Sequence, residues 1–296
     1  MEKIILKYRP KWAFNEIGRK MGWKIYCWDG RLVMIPSMWS QALSTESQFC
    51  KAVVEAGYLT EAQMKRASRR YRLGKSRQGG VIFWQIDQED RIHDGKVMYY
   101  REDCHRDKRR HPNWVSSLIS RRNHWKGHQG SHCLFGLHLL YDEQYELSDY
   151  EGMGYDAWYS TMKAKYAPLY ALNSFELYTM SHQPRPVAIV EAEKSAVILS
   201  EHFPEYLWMA TGGLGEVQAE KFRPLRGRKV IFFPDTDTDG TAYRRWYEAA
   251  QEVQRQLWWE GCPPIYVSPL LEQRATSSQK ERKIDITDFL LDQLKN

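Results

Sequence analysis

The stretch Lys229–Gly240, KVIFFPDTDTDG, decides the reading of this chain. Its first half is a short run of β-branched and aromatic residues, the signal of a buried strand. Pro234 stops further pairing, and three aspartates follow at alternate positions before Gly240. A calcium loop of the EF-hand type would follow a helix and carry a glutamate at its twelfth position. Counted from Asp235, that position is Trp246. A strand ending in acids fits better, because open α/β sheets bind their ligands at the carboxyl ends of strands. With one residue between them, Asp235 and Asp237 can serve a single Mg²⁺, an ion that takes one or two carboxylates and fills its other sites with water and phosphate. The plainer alternative is a loop of Asx turns with Asp239 capping the next helix.

Outward from this stretch the pattern is regular. RPVAIVEAEKSAVILSEHF reads as a strand and a helix, and YLWMATGG as a strand closed by the turn Gly212-Gly213. EVQAEKFRPL is helical, TAYRRWYEAAQEVQRQLWWEG is a long helix ended by Gly261, PPIYVSPL is a strand and ITDFLLDQLK a final helix. Strands alternating with helices predict an α/β fold with a parallel sheet over residues 184–296. Glu191 is then the first residue past its strand. Glutamate, glycine turn and D-x-D all fall on the ligand edge of one sheet.

VAIVEAEKSA, ATGG and FFPDTDTDG together resemble the signature of the toprim domain, found in bacterial DNA primases, topoisomerases, phage primase-helicases and related nucleases. The resemblance implies a Rossmann-like toprim sheet flanked by helices. It implies Glu191 as general acid/base or metal-proximal acid, Asp235 and Asp237 as Mg²⁺ (or Mn²⁺) ligands, and Lys194 facing phosphate. Ala192 stands where the common form has glycine, and Ser195 where it has an acid. KIDITDFLL resembles a late D-x-x-D element, which implies Asp285 and Asp288 near the metal. A helix N-terminus stabilised by two acids explains the same pair as well. Gly240 is expected to shape its turn. GGVIFWQID…GKVMYY resembles the strand pair that precedes toprim in primase cores, and HCLFGLHLL with KIDITDFLL resembles a toprim-like family of Bacteroidetes mobile elements.

The region before the sheet, residues 1–140, reads as smaller, mixed α+β and basic. WKIYCW and RLVMIP predict strands around Asp29-Gly30, and residues 45–73 predict two helices, the second starting near Thr60. VIFWQID and KVMYY predict two more strands with a polar loop between them. Over residues 65–126 basic residues outnumber acidic ones by 17 to 7, with tryptophans interleaved. Such a face is often merely solvated, but the mixture suits phosphate contact with base stacking. Lys75, Arg77, Trp84, Arg101, Arg109, Arg110, Arg121 and Arg122 are the expected nucleic-acid-binding residues. Residues 141–183 are Tyr-rich and read as a connector or insertion.

The whole chain has 296 residues, formal net charge +6, and 14% aromatics. Its five cysteines form no CxxC pair, so neither a disulfide framework nor a zinc ribbon is expected. His124, His128 and His132 are spaced for one helix face, but Gly127 and Gly130 oppose a helix, and zinc is not expected there. No apolar run is long enough to span a membrane, and a cytoplasmic location is expected. The sequence reading is a Mg²⁺-dependent toprim-type enzyme of nucleic acids, performing primase-like nucleotidyl transfer or phosphodiester cleavage in mobile-element or phage DNA metabolism. Its expected partners are single-stranded DNA or RNA, nucleotides, and a replication or mobilisation protein. The alternative is a catalytically inactive toprim scaffold that binds single-stranded DNA or a partner protein.

Overall fold

Two sheets share the described chain. The computed structural model describes residues 23–28, 31–36, 46–76, 78–89, 91–122, 129–130, 132–140, 185–257, 260 and 264–294. The expectations for 141–183, Arg77, His124, His128 and Gly261 lie outside these residues.

In the first sheet, β1 (Trp23–Trp28) and β2 (Arg31–Pro36) form the predicted hairpin. Beyond them lie β3 (Gly74–Lys75), β4 (Val81–Ile86) and β5 (Ile92–Met98), in the order β1-β2-β5-β4-β3. The short strand β6 (Asn113–Trp114) pairs with β5, and β7 (Gln129–Gly130) pairs with β2. Helices α1 (Gln48–Glu55) and α2 (Glu61–Arg70) precede β3, and α3 (Val115–Arg122) follows β6. Ser47 caps α1, and a Thr60–Gln63 capping box starts α2.

The second sheet is parallel and flanked by helices. Its strands are β8 (Val187–Val190), β9 (Leu207–Ala210), β10 (Val230–Phe232) and β11 (Ile265–Val267), in the order β11-β10-β8-β9. The four-residue strands β8 and β9 are buried throughout, as the apolar runs predict. Helix α4 (Glu193–His202) follows β8, and the short α5 (Ala219–Phe222) lies between β9 and β10. The long α6 (Thr241–Leu257) follows the aspartate run, and buries Trp246, Ala250, Val253 and Leu257 at helical spacing. After β11 come α7 (Leu270–Arg274), α8 (Ser277–Glu281) and α9 (Ile286–Leu294). Among the described residues no helix is long and apolar enough to cross a membrane.

The two sheets meet at Phe135. Its backbone N–H donates to the carbonyl of Ala210 at 2.9 Å, and the Ala210 N–H returns a bond to Phe135 at 3.0 Å. Residue 135 thus extends the edge of the parallel sheet next to β9. The Phe135 ring stacks on Tyr71 from the end of α2, 5.0 Å between centroids, and meets Phe83 of β4 edge-on at 5.4 Å. The Tyr71 hydroxyl donates to the Trp208 carbonyl at 2.8 Å. On the outer side, Arg66 and Arg70 of α2 both reach the buried Glu201 of α4 at 2.7 Å. One apolar core therefore runs from α1 to α9.

Gly136 has φ +87°, and a Cβ there would stand 2.9 Å from the Trp208 carbonyl oxygen. Gly136→Ala is expected to destabilise the fold by roughly 1–3 kcal/mol, the usual cost of a non-glycine residue held in that region. Urea unfolding followed by circular dichroism measures it, and an unchanged midpoint would remove Phe135 as the junction of the sheets.

Candidate functional site

Strand order places the acids side by side. β8 and β10 are neighbours, with Ile189 opposite Phe232, so Glu191 and the aspartate run leave the same edge of the sheet. The Thr236 N–H donates to the Ile284 carbonyl at 3.2 Å, which draws the segment before α9 onto the aspartate loop. This brings Asp285 and Asp288, with Glu191, within electrostatic reach of Asp235.

The electrostatics follow from that crowding. Burial pushes the Asp235 carboxyl well above its ordinary value, and Asp285, Glu191 and Asp288 push it further. Lys194 acts in the opposite direction and does not prevail. Asp288 is raised by burial and by Asp285, against Lys194. Glu191 is raised by burial, with Lys96 opposing and Glu193 adding to the rise. Burial lowers the Lys194 ammonium, but Asp285 and Asp288 outweigh it and the net shift is upward. The site thus carries several carboxylates in a desolvated space with too little positive charge to balance them.

Three of the aspartates have a second duty. Asp237 Oδ2 accepts from the Ala242 N–H at 2.8 Å, and Asp239 Oδ1 accepts from the Thr241 N–H at 3.2 Å, so both secure the start of α6. Asp285 Oδ1 accepts from the Asp288 N–H at 2.9 Å, which makes it the cap of α9, and its Oδ2 accepts from Ser195 Oγ at 2.5 Å. The capping reading and the acid-cluster reading of these residues therefore hold together. Asp237 Oδ1 is different: it is buried and has no hydrogen-bond partner. The hydroxyls of Thr236 and Thr287, beside the same acids, are buried without partners too.

A buried carboxylate oxygen without a hydrogen-bond partner is chemically suited to a cation. Among the described residues, no three Asp, Glu, His or Cys side chains are gathered closely enough to hold one metal ion. One or two carboxylates suffice for Mg²⁺, whose remaining sites are filled by water and phosphate.

The glycine turn lies beside Glu191. Gly212 has φ +81° and Gly213 φ +155°, and the Gly212 N–H donates to the Glu191 carbonyl at 2.9 Å. Gly240, at φ +69°, turns the chain into α6 as expected.

The basic residues divide. Trp84 is a correction: it is 2% exposed, because its ring covers Gly95 across the strand pair, where an added Cβ would stand 2.4 Å from it. It is a core residue and offers no stacking face. Arg101 is bonded to Asp103, and Arg109 to Asp107. Arg110 lies over the Tyr99 ring at 3.4 Å and reaches Gln78. Arg121 bonds Asn113 at 2.9 Å, and Lys75 stands 3.7 Å from Glu46. Arg122 ends α3, and its side chain lies outside the described ones. The loop that carries Arg101 also packs near the acids. The buried Cys104 thiol, raised to about 11 chiefly by burial, feels Lys194, Asp285 and Asp288, and His105 acts on Asp288.

Sequence reasoning missed Lys96 and Glu193. Lys96, on β5 of the antiparallel sheet, donates to both oxygens of Glu193 at 2.9 and 3.1 Å. A lysine beside a glycine in the run GKVMYY was its only signal.

A family described as a domain of unknown function (DUF6371) matches residues 47–148 and 156–236, and the chain belongs to that family. The match includes Glu191, Lys96, the glycine turn and Asp235, and it ends just before Asp237. No curated protein and no solved structure matches the chain.

The raised carboxyl of Asp235 makes a signed prediction for the metal-free protein. A carboxyl whose folded value lies above its unfolded one stabilises the fold at low pH, and that contribution is lost as pH rises through the folded value. In chelator, Asp235→Asn is therefore expected to be more stable than the wild type at pH 7.5, with the advantage vanishing towards pH 4. Urea midpoints of both proteins across that range test it. A mutant less stable than the wild type at pH 7.5 would mean that the carboxylates do not crowd one another.

Proposed function

We propose that the chain is a toprim-type, Mg²⁺-dependent enzyme of nucleic acids, carrying out primase-like nucleotidyl transfer or phosphodiester cleavage. The observation that carries this reading is the crowding of the desolvated Asp235 by Asp285, Glu191 and Asp288 at the carboxyl edge of a parallel sheet, with a buried Asp237 Oδ1 that accepts no hydrogen bond on the same loop. The order of Glu191, glycine turn and D-x-D along the chain supports the toprim assignment. Asp235 and Asp237 are the residues to hold Mg²⁺ (or Mn²⁺), with Glu191 beside them. When bound, the ion supplies neutralisation of charge on phosphate oxygens. Glu191, whose carboxyl burial raises above its ordinary value, is suited to holding and releasing a proton. Lys194, kept charged by Asp285 and Asp288, faces the same space and is suited to orienting a phosphate. Asp285 and Asp288 act through Lys194 and through the cap of α9.

The substrate class is single-stranded DNA or RNA, with nucleotides for the transfer reaction. The net charge of +6 and the Arg101–Arg110 loop beside Asp288 favour a polyanion. Mobile-element or phage DNA metabolism, a replication or mobilisation partner and a cytoplasmic location belong to the same proposal. A second reading, an inactive scaffold for single-stranded DNA or a partner protein, is favoured by one observation: Asp285 already spends both oxygens on Ser195 and the α9 cap.

Titration calorimetry with Mg²⁺ and Mn²⁺ separates the two readings. The wild type is expected to bind, and Asp235→Asn/Asp237→Asn to lose binding while keeping its circular dichroism spectrum. Cleavage or primer synthesis on single-stranded DNA is expected to disappear with chelator and in Glu191→Gln. Salt-sensitive DNA binding with neither metal binding nor turnover would establish the scaffold.

A further inference from the structure

Lys96 comes from the sheet that does not carry the acid motif, yet its ammonium ends in the site. The pair it forms with Glu193 is buried, with side chains 14% and 4% exposed. It makes a third bond, to the Gly212 carbonyl at 3.3 Å. Gly212 in turn donates its N–H to the Glu191 carbonyl. One ammonium therefore grips both chain segments that flank Glu191: the glycine turn bonded to its backbone, and the first turn of α4 two residues on. The space is fitted to that reach. A Cβ on residue 212 would stand 3.1 Å from Glu193 Oε1 and 3.5 Å from Lys96 Nζ, so a side chain there would crowd the bridge.

We infer that Lys96 is a positioning residue for Glu191, and that the antiparallel sheet completes the metal site of the parallel one. Glu191 and Glu193 are two carboxylates in one short turn, and only one of them ends β8 facing Asp235. Lys96 binds Glu193 to the opposite sheet and leaves Glu191 towards the aspartates. By holding the Gly212 carbonyl it also fixes the turn from which the Glu191 backbone hangs. The catalytic groups themselves remain those proposed above, and this inference rests on that reading.

The test is Mn²⁺ binding to the full chain, followed by electron paramagnetic resonance and calorimetry, with melting temperature as the control for folding. Lys96→Arg keeps a donor for both partners and is expected to bind as the wild type does. Lys96→Met strands a buried carboxylate and destabilises the fold, so Lys96→Met/Glu193→Gln is the decisive variant. It removes both charges while leaving Gly212 without its donor. It is expected to fold and to bind Mn²⁺ about tenfold or more weakly, the usual effect of losing an outer-shell partner. Wild-type affinity in that double variant would overturn the inference and leave Lys96 as a structural ion pair. A wild type that binds no Mn²⁺, indistinguishable from Asp235→Asn, would instead overturn the metal reading itself and the inference with it.

Discussion

The exchange of two backbone hydrogen bonds between Phe135 and Ala210 is the joint on which the arrangement depends. An edge strand with open N–H and C=O groups must be paired or covered, and here a segment of the preceding region covers the β9 edge. The ring of the same residue sits between Tyr71 and Phe83, so the backbone joint is also an apolar one. Once β9 is held there, the glycine turn that ends it lies against the antiparallel sheet. Lys96 can then reach Glu193, and the loop around Cys104 can reach Asp288.

A second constraint acts within that frame. Asp235 is desolvated and has three carboxylates for neighbours, with Lys194 as the opposing charge. Buried like charges are unfavourable, and they add nothing to the stability of the fold. The chain relieves part of the strain locally, since Asp237, Asp239 and Asp285 each cap a helix. Asp237 Oδ1 is left over. Charge repulsion and packing therefore pull in opposite directions at this edge.

The basic region plays a different part from a continuous cationic face. Several of its arginines are engaged by acids or amides in their own loops, as with Arg101 and Asp103 or Arg109 and Asp107. Exposed pairs of this kind contribute little stability. Trp84 shows the limit of composition as a guide. An indole among arginines looks like a stacking platform, yet a glycine directly across the strand pair gives it a place in the core.

The sequence by itself determined the local elements and the acid motif. VAIV and KVIFF are apolar without alternation, and short runs of that kind are buried parallel strands. Thr60 with Gln63 and Ser47 before a hydrophobic run mark helix starts, and the bonds are there. Glu191, Asp235 and Asp237 were legible because each sits at a strand end, a position that period and proline reveal. Tertiary structure alone decided which side chains from elsewhere join them. Lys96 is about a hundred residues from Glu193 along the chain, and no local spacing encodes a contact made by closing one sheet onto the edge of another. Asp285 was expected near the site only through its resemblance to a late D-x-x-D element, and what brings it towards Asp235 is a backbone bond between Thr236 and Ile284. Local propensity is written in neighbouring residues, whereas the charge balance of a site is the sum over all segments that the fold brings within a few ångströms.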